Sequence, residues 1–345
     1  MTEPATGEQS APRQDLLTPS GARHARILSV GSYRPERVVT NEEICRYIDS
    51  SDEWIREKSG IVSRRFAAAD ESVTDMAEAA ARTAIERAGL TPADIDAVLV
   101  ATVTHPYQTP SSAALLAYRI GATPAAALDI SAACAGFCYG ISLASDMVRG
   151  GSARHVLLVG VEKLSDFLDL HDRSSAFIFG DGAGAVVIGP SDTPGIGPTI
   201  WGSDGAQWDT IINKQSWIEY RDDPERTWPA LKMAGPAVFR WAVWQMSPVA
   251  QKALDAAGLS IGDLDAFIPH QANVRIIDAM VKELRVPAHV PVARDIAETG
   301  NTSAASIPIA MDRMLAQGEV RSGGRALLIG FGAGLAYAAQ VVELP

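Results

Sequence analysis

The stretch DISAACAGFCYG, residues 129–140, sets one cysteine, Cys134, among small side chains. Ser131, Ala132 and Ala133 precede it, Ala135 and Gly136 follow, and a second cysteine, Cys138, stands four places on. The run that continues to Arg149 reads as a helix ended by Gly150 and Gly151. Cys134 then falls at or near a helix N-terminus, where the positive end of the dipole favours a thiolate. Its small neighbours leave room for a substrate, and their backbone N–H groups could hold an oxyanion. The competing reading is a buried space-filler, because free cysteine is among the most buried residue types. Cys138, one helical turn away, reads as packing. No CxxC or His-rich spacing accompanies either cysteine, so no metal site is expected.

A nucleophilic thiol needs a base. Of six histidines, His24, His155, His171 and His289 sit in polar or loop contexts and read as solvated, while His105 in VTHPYQTP stays ambiguous. His270 differs. In DAFIPHQANVRIIDAMVKEL it stands where an apolar strand stops and a helix begins, beside Gln271 and Asn273. Asn301, in ETGNTSAASIP, occupies another clearing of small residues ahead of a helix, where asparagine also serves as a plain helix cap.

Such residues need elements to carry them. Strand-like runs such as IDAVLVATV (95–103) and HVLLVGVEKL (155–164) alternate with alanine-rich helical runs such as VTDMAEAAARTAIERAG (73–89). This predicts α/β layers with strands buried on both faces. Three segment pairs repeat in the same order: GLTPADIDAVLV with GLSIGDLDAFIP, ARHVLLVG with GGRALLIG, and, more loosely, DISAAC with DIAETG. The spacing predicts a duplicated α/β unit joined near GPSDTPGIGP (189–198), with Cys134 matched to TGNT of the second half. Three divisions follow: a loose N-terminal tail over 1–23, a first half over 24–193 carrying Cys134, and a second half over 194–345 carrying His270 and Asn301. The glycine runs FGDGAGAVVIG (179–189) and IGFGAGLAYAA (329–339) have GxGxG spacing and lead into strands, so they are not dinucleotide fingerprints. Backbone crowded against a reaction centre accounts for them better.

The 345-residue length fits about two domain-sized units. A net charge of −11 disfavours nucleic acid as partner. Residues 1–23 lack the apolar core of a signal peptide, and no apolar run approaches the roughly 20 residues that span a bilayer. Three cysteines in such a chain predict a reducing, cytoplasmic setting without disulfides and no membrane partner.

Taken together, SSDEWI (50–55), ACAGF (133–137), FGDGAGAVV (179–187), PHQAN (269–273), GNTSAASIP (300–308) and GFGAGL (330–335) resemble the β-ketoacyl-acyl-carrier-protein synthase III family of the thiolase superfamily. This group includes priming ketosynthases of type II polyketide pathways. The resemblance covers nearly the whole chain after the tail. It implies a thiolase-like five-layer αβαβα fold of two duplicated halves, a homodimer, no cofactor, and acyl-CoA and malonyl-acyl-carrier protein as substrates. It also implies a catalytic Cys134, His270 and Asn301, with backbone N–H groups of Cys134 and of Ala333 or Gly332 as the oxyanion hole. Matching positions imply Trp54 and Arg173 around the CoA adenine, Lys58 near its phosphates where the family usually has arginine, and Asn273 near the pantetheine. The primer pocket would take Gln108, Thr109 and Phe239, and the small Thr109 implies room for primers larger than acetyl. Arg240, Arg275 and Lys282 match the carrier-protein docking face, and Glu283 departs from a frequent lysine. Three alternatives stay open: a cysteine hydrolase with the same residue order, a non-condensing thiolase-fold acyltransferase, and an inactive partner subunit.

Overall fold

The computed structural model describes residues 16–345. The expected tail thus lies largely outside the described residues. Its last part is not loose, because Gly21 sits against the backbone of Arg149 and Gly151 and the Ala22 N–H donates to the Val148 carbonyl at 3.1 Å. The packed chain therefore starts before residue 24.

The first half runs β1 (His24–Tyr33), β2 (Arg37–Thr40), α1 (Asn41–Ile44), α2 (Asp52–Ser59), β3 (Ser63–Phe66), α3 (Val73–Arg87), β4 (Ala97–Ala101), α4 (Ser112–Ile120), β5 (Ala126–Ile130), α5 (Gly136–Gly150), β6 (Val156–Glu162) and β7 (Gly182–Ser191). The second runs β8 (Ile200–Ser203), β9 (Ile211–Asn213), α6 (Trp217–Asp222), β10 (Leu231–Met233), α7 (Gly235–Ala257), β11 (Ala266–Pro269), α8 (Val274–Glu283), α9 (Ile296–Thr299), α10 (Ser306–Ala316), β12 (Arg325–Gly332) and β13 (Ala336–Glu343). One sheet has the order β1-β7-β6-β4-β5 and the other β8-β13-β12-β11. In both, the outer two pairings are antiparallel and the next is parallel.

Strand alternation builds the layers. Ala97, Leu99 and Ala101 face inward with Ile268, Leu328 and Ala338 of the other sheet, and α5 and α10 fill the space between. Val98 and Val100 face outward onto α3 and α4, whereas Phe267, Leu327 and Ile329 face outward onto α7 and α8. The result is the αβαβα arrangement of a thiolase-like fold.

The elements of the two halves follow in a similar order, with one correction to the expected match. Short 3-10 turns, Ala133–Ala135 and Ser303–Ala305, lead into α5 and α10, and their first residues share a left-handed φ of 44° and 50°. Cys134 thus corresponds to Ala304, not to TGNT. The slip arises because the connections differ in length. Ala127 lies opposite Val98 and Ala133 follows six residues later, whereas Val292 lies opposite Phe267 and Ser303 follows eleven residues later. The second half keeps only that bridge where the first has β5, and its longer connection carries α9 and Asn301.

The two turns meet the opposing sheets backbone to backbone. A Cβ on Gly160 of β6 would lie 2.4 Å from the Ala304 carbonyl oxygen, and one on Gly330 of β12 would lie 2.9 Å from that of Cys134. Neither contact can be relieved by a side-chain rotation. Gly160→Ala is therefore expected to cost about 3 kcal/mol of unfolding free energy, read from denaturant titration. A change within 0.5 kcal/mol of the parent, roughly the size of an ordinary surface substitution, would refute the close approach.

Candidate active site

Cys134, His270 and Asn301 line one cavity of ≈ 450 Å³, with Phe331, Gly332 and Ala333 on its wall. Three different loops deliver them, each at the start of a helix or the end of a strand.

Cys134 occupies the turn ahead of α5, and Gly332 is the residue that lets its thiol reach open space. A Cβ there would lie 2.9 Å from the Cys134 Sγ and 2.8 Å from its Cβ. The thiol stays protonated at rest. Burial pushes it up to about 12, with the Ser303 hydroxyl and the residue's own N–H opposing and the Glu162 charge adding. The helix-end field also works against that rise, and a thiol in this state would need a base to act as a nucleophile. Cys138 is fully buried, as expected of packing.

His270 follows β11 directly and is buried. Its Nδ1 lies 2.7 Å from the Ser306 hydroxyl, and its ring meets Phe331 edge-on at 5.3 Å. Burial holds the imidazole down at about 3, so it is neutral at physiological pH. A neutral ring has one nitrogen that accepts and one that donates, and the Ser306 hydroxyl can serve either tautomer at Nδ1.

Asn301 is clamped by the FGDG run. Its N–H donates to the Ile178 carbonyl at 2.9 Å, and its carbonyl accepts from the Gly180 N–H at 3.0 Å. Its Oδ1 accepts the Ser303 N–H at 2.8 Å, so Nδ2, without a partner among the described residues, is left for the cavity. The clamp is held in turn by Arg64, whose buried guanidinium donates to the Phe177 and Val39 carbonyls and to Asn41. No carboxylate pairs directly with that guanidinium among the described residues, and burial lowers it to about 10. The glycine runs thus serve close packing: a Cβ on Gly180 would lie 2.2 Å from the Thr299 carbonyl oxygen.

The Ala333 N–H finds no acceptor among the described residues, and Ala333 lines the same cavity as Cys134. A nucleophile, a neutral base that can also donate, a free carboxamide and unpaired N–H groups in an apolar chamber suit acyl transfer followed by stabilisation of an enolate.

Other expected residues fare differently. Trp54 and Arg173 are found together, but the guanidinium stacks directly on the indole at 4.5 Å and its Nε donates to the Asp49 carbonyl. A flat base enters only if Arg173 swings away. Lys58 pairs with exposed Glu57 at 2.6 Å, so its ammonium is not held over the cavity. Asn273 lines the cavity, but its amide is occupied: Oδ1 caps α8 through the Arg275 N–H and Nδ2 donates to the Lys58 carbonyl. Its role is structural at rest. Phe239 lies on the cavity wall with the Arg275 guanidinium 5.2 Å from its ring. Gln108 and Thr109 are exposed and do not line this chain's own cavity. Arg240 and Arg275 line it, and Lys282 is exposed further along α8. Sequence reading missed Ser303, Ser306 and Glu162, because a serine or a glutamate at a strand end carries no signal until the fold brings it to the thiol.

Burial of neutral His270 carries a pH signature. Its value falls from 6.5 to about 3 on folding, so between those limits the unfolded chain binds the proton first. Stability is then intact above pH 6.5 and lost as pH falls towards 3. The slope from this group is at most about 1.4 kcal/mol per pH unit. His270→Asn should flatten the dependence between those limits in denaturant titrations; an unchanged slope would show that other groups cause it.

Two family models match, 3-oxoacyl-[acyl-carrier-protein (ACP)] synthase III over residues 128–205 and its C-terminal part over residues 254–344. A β-ketoacyl-[acyl-carrier-protein] synthase III of Streptomyces glaucescens is 59% identical over 325 residues, 94% of this chain and 98% of that protein. The Kocuria rhizophila enzyme is 55% identical over 344 residues, covering 93% and 97%. Among solved structures, the priming β-ketosynthase of the R1128 polyketide pathway aligns with a TM-score of 0.94 and 52% identity over 96% of this chain and 99% of that one. The Pseudomonas aeruginosa 3-oxoacyl-(acyl carrier protein) synthase III gives 0.86 and 39% over 94% and 99%. With the thiol, the imidazole and the carboxamide on one cavity wall, and with likeness along almost its whole length, the chain belongs to the β-ketoacyl-acyl-carrier-protein synthase III family of condensing acyltransferases.

Proposed function

We propose that Cys134, His270 and Asn301 carry out a decarboxylative Claisen condensation between a short acyl-CoA and malonyl-acyl-carrier protein, starting a fatty-acyl or polyketide chain. The observation that carries this reading is that all three line one largely apolar cavity together with Gly332 and Ala333. In the first half-reaction the Cys134 proton passes to Nε2 of His270 while sulfur attacks the acyl carbon. The oxyanion rests on the N–H groups of Cys134 and Ala333. The CoA sulfur departs with that proton, leaving acyl-Cys134.

In the second half-reaction Nε2–H of His270 and Nδ2–H of Asn301 donate to the malonyl thioester oxygen. The bond to the carboxylate breaks, CO2 leaves, and its electron pair forms the enolate. Neutral donors suffice in a dry site, because they are fixed before charge develops. The enolate carbon then attacks the acyl carbonyl, and the Cys134 sulfur leaves as a thiolate that takes one proton from solvent. No cofactor is required.

Arg240 and Arg275 at the cavity and Lys282 on α8 suit an acidic carrier protein whose arm enters between them. Trp54 and Arg173 suit the CoA adenine once Arg173 moves. The edge of β5 facing away from β4 has no partner strand among the described residues, and exposed Leu128, Leu115 and Tyr118 lie along β5 and α4. An apolar open edge of this kind supports a homodimer. In it, the exposed loop with Gln108 and Thr109 would close the partner's primer pocket. No helix among the described residues is long and apolar enough to cross a membrane; free cysteines support a cytoplasmic site of action.

Cys134→Ala should abolish transfer of radiolabelled acyl groups to the protein. His270→Ala and Asn301→Ala should lower malonyl decarboxylation about 100-fold while leaving acylation less affected; equal losses in both steps would refute the assignment. In a competition of acyl-CoA primers, propionyl or branched four- and five-carbon groups should compete with acetyl, and strict acetyl preference would refute the role given to Thr109.

A further inference from the structure

Behind the thiol lies a carboxylate that the condensation does not use. Glu162 ends β6 and is completely buried. Its Oε2 accepts from the Thr104 hydroxyl at 2.7 Å, the Val103 N–H at 3.1 Å and the Thr102 hydroxyl at 3.2 Å. Its Oε1 accepts from the Ser303 hydroxyl at 3.0 Å. Ser303 shares the cavity wall with Cys134, and its turn packs against the turn that carries the thiol.

The donor count decides the chemistry. A serine hydroxyl has one proton and two lone pairs. Ser303 gives its proton to the carboxylate at 3.0 Å, so it can relieve the thiol only when that proton turns away from Glu162, and otherwise it offers sulfur a lone pair. A buried negative charge behind that hydroxyl adds repulsion. We propose that Glu162 is a positioning residue that, by claiming the Ser303 proton, keeps Cys134 a thiol until acyl donor and His270 act together. The effect concerns the free thiol and rests on the proposed nucleophilic role of Cys134 only for its consequence, protection of an unacylated site.

The surroundings leave few competitors. Of the titratable groups near the thiol, His270 is neutral and Cys138 lies within the core. Lys163, next to Glu162, directs its ammonium to the Ala68 and Ala69 carbonyls and towards Asp166. Arg240 and Arg275 line the cavity from α7 and α8. Burial raises Glu162 to about 7 against the pull of its four donors, so it is ionised in mildly alkaline solution.

Glu162→Gln replaces Oε1 by an amide that donates to Ser303, which frees the serine proton for a thiolate. The test is the rate of Cys134 carbamidomethylation by iodoacetamide between about pH 8 and 10, followed by peptide mass spectrometry with Cys45 and Cys138 as internal references. The full chain needs no turnover for this assay, so it can fail independently of the condensation reading. Glu162→Gln should alkylate about ten-fold faster, one unit of thiol titration. An unchanged or slower rate overturns the proposal. Ser303→Ala supplies a second arm that stands if Glu162→Gln does not fold. The proposal expects its alkylation to stay within about two-fold of the parent, because in the parent Glu162 already holds the serine proton away from sulfur. A ten-fold slowing would show that Ser303 donates to the thiolate and would overturn it.

Discussion

Everything in this molecule turns on two 3-10 turns pressed against two sheets at the centre of the fold. Gly160 admits the Ala304 carbonyl and Gly330 admits that of Cys134, at distances a Cβ would forbid. Because the two turns sit at equivalent places in duplicated halves, α5 and α10 start side by side between the sheets. One start carries the thiol. The other is preceded by the longer connection that carries the carboxamide. The imidazole follows β11, paired in parallel with β12. A duplicated scaffold thus brings non-duplicated chemistry to one place.

That placement makes the site dry, and dryness sets the protonation states. Burial raises the thiol and lowers the imidazole, so the resting pair is neutral instead of a thiolate and an imidazolium. A neutral imidazole can accept a proton in one step and donate a hydrogen bond in the next. A strongly buried carboxylate near this chamber, Glu162, lies behind Ser303, separated from the cavity by a hydroxyl. Charge is thus kept one residue away from the reacting atoms, where it can bias the thiol without meeting the developing enolate.

At the mouth the physics changes. Trp54, Arg173, Arg275 and Phe239 form two cation–aromatic contacts at 4.5 and 5.2 Å. Each arginine keeps its charge near solvent while its flat face covers an apolar ring. Stacks of this kind can open for a flat base or a phosphate without exposing bare aromatic surface. The chamber itself is backed by strands and by close glycine contacts.

Much was written in the chain. Alternating apolar runs fixed strands and layers, because period two and period 3.6 are local properties. Cys134, His270 and Asn301 stood out because small residues around a reactive side chain, or a polar residue after an apolar strand, are visible within a few positions. The glycine runs were legible as close packing, since GxGxG leading into a strand excludes a phosphate loop. The register of the second half was not, because six residues against eleven between matched points is a difference in loop length that sequence similarity absorbs. Nor were the stacked state of Trp54 and Arg173, the occupied amide of Asn273 or the partners of Glu162. Hydrogen-bond partners 141 residues apart, as for Ser303 and Glu162, exist only after the chain has closed on itself. Residue types set what each group can donate or accept; the fold alone decides which groups compete for the same proton.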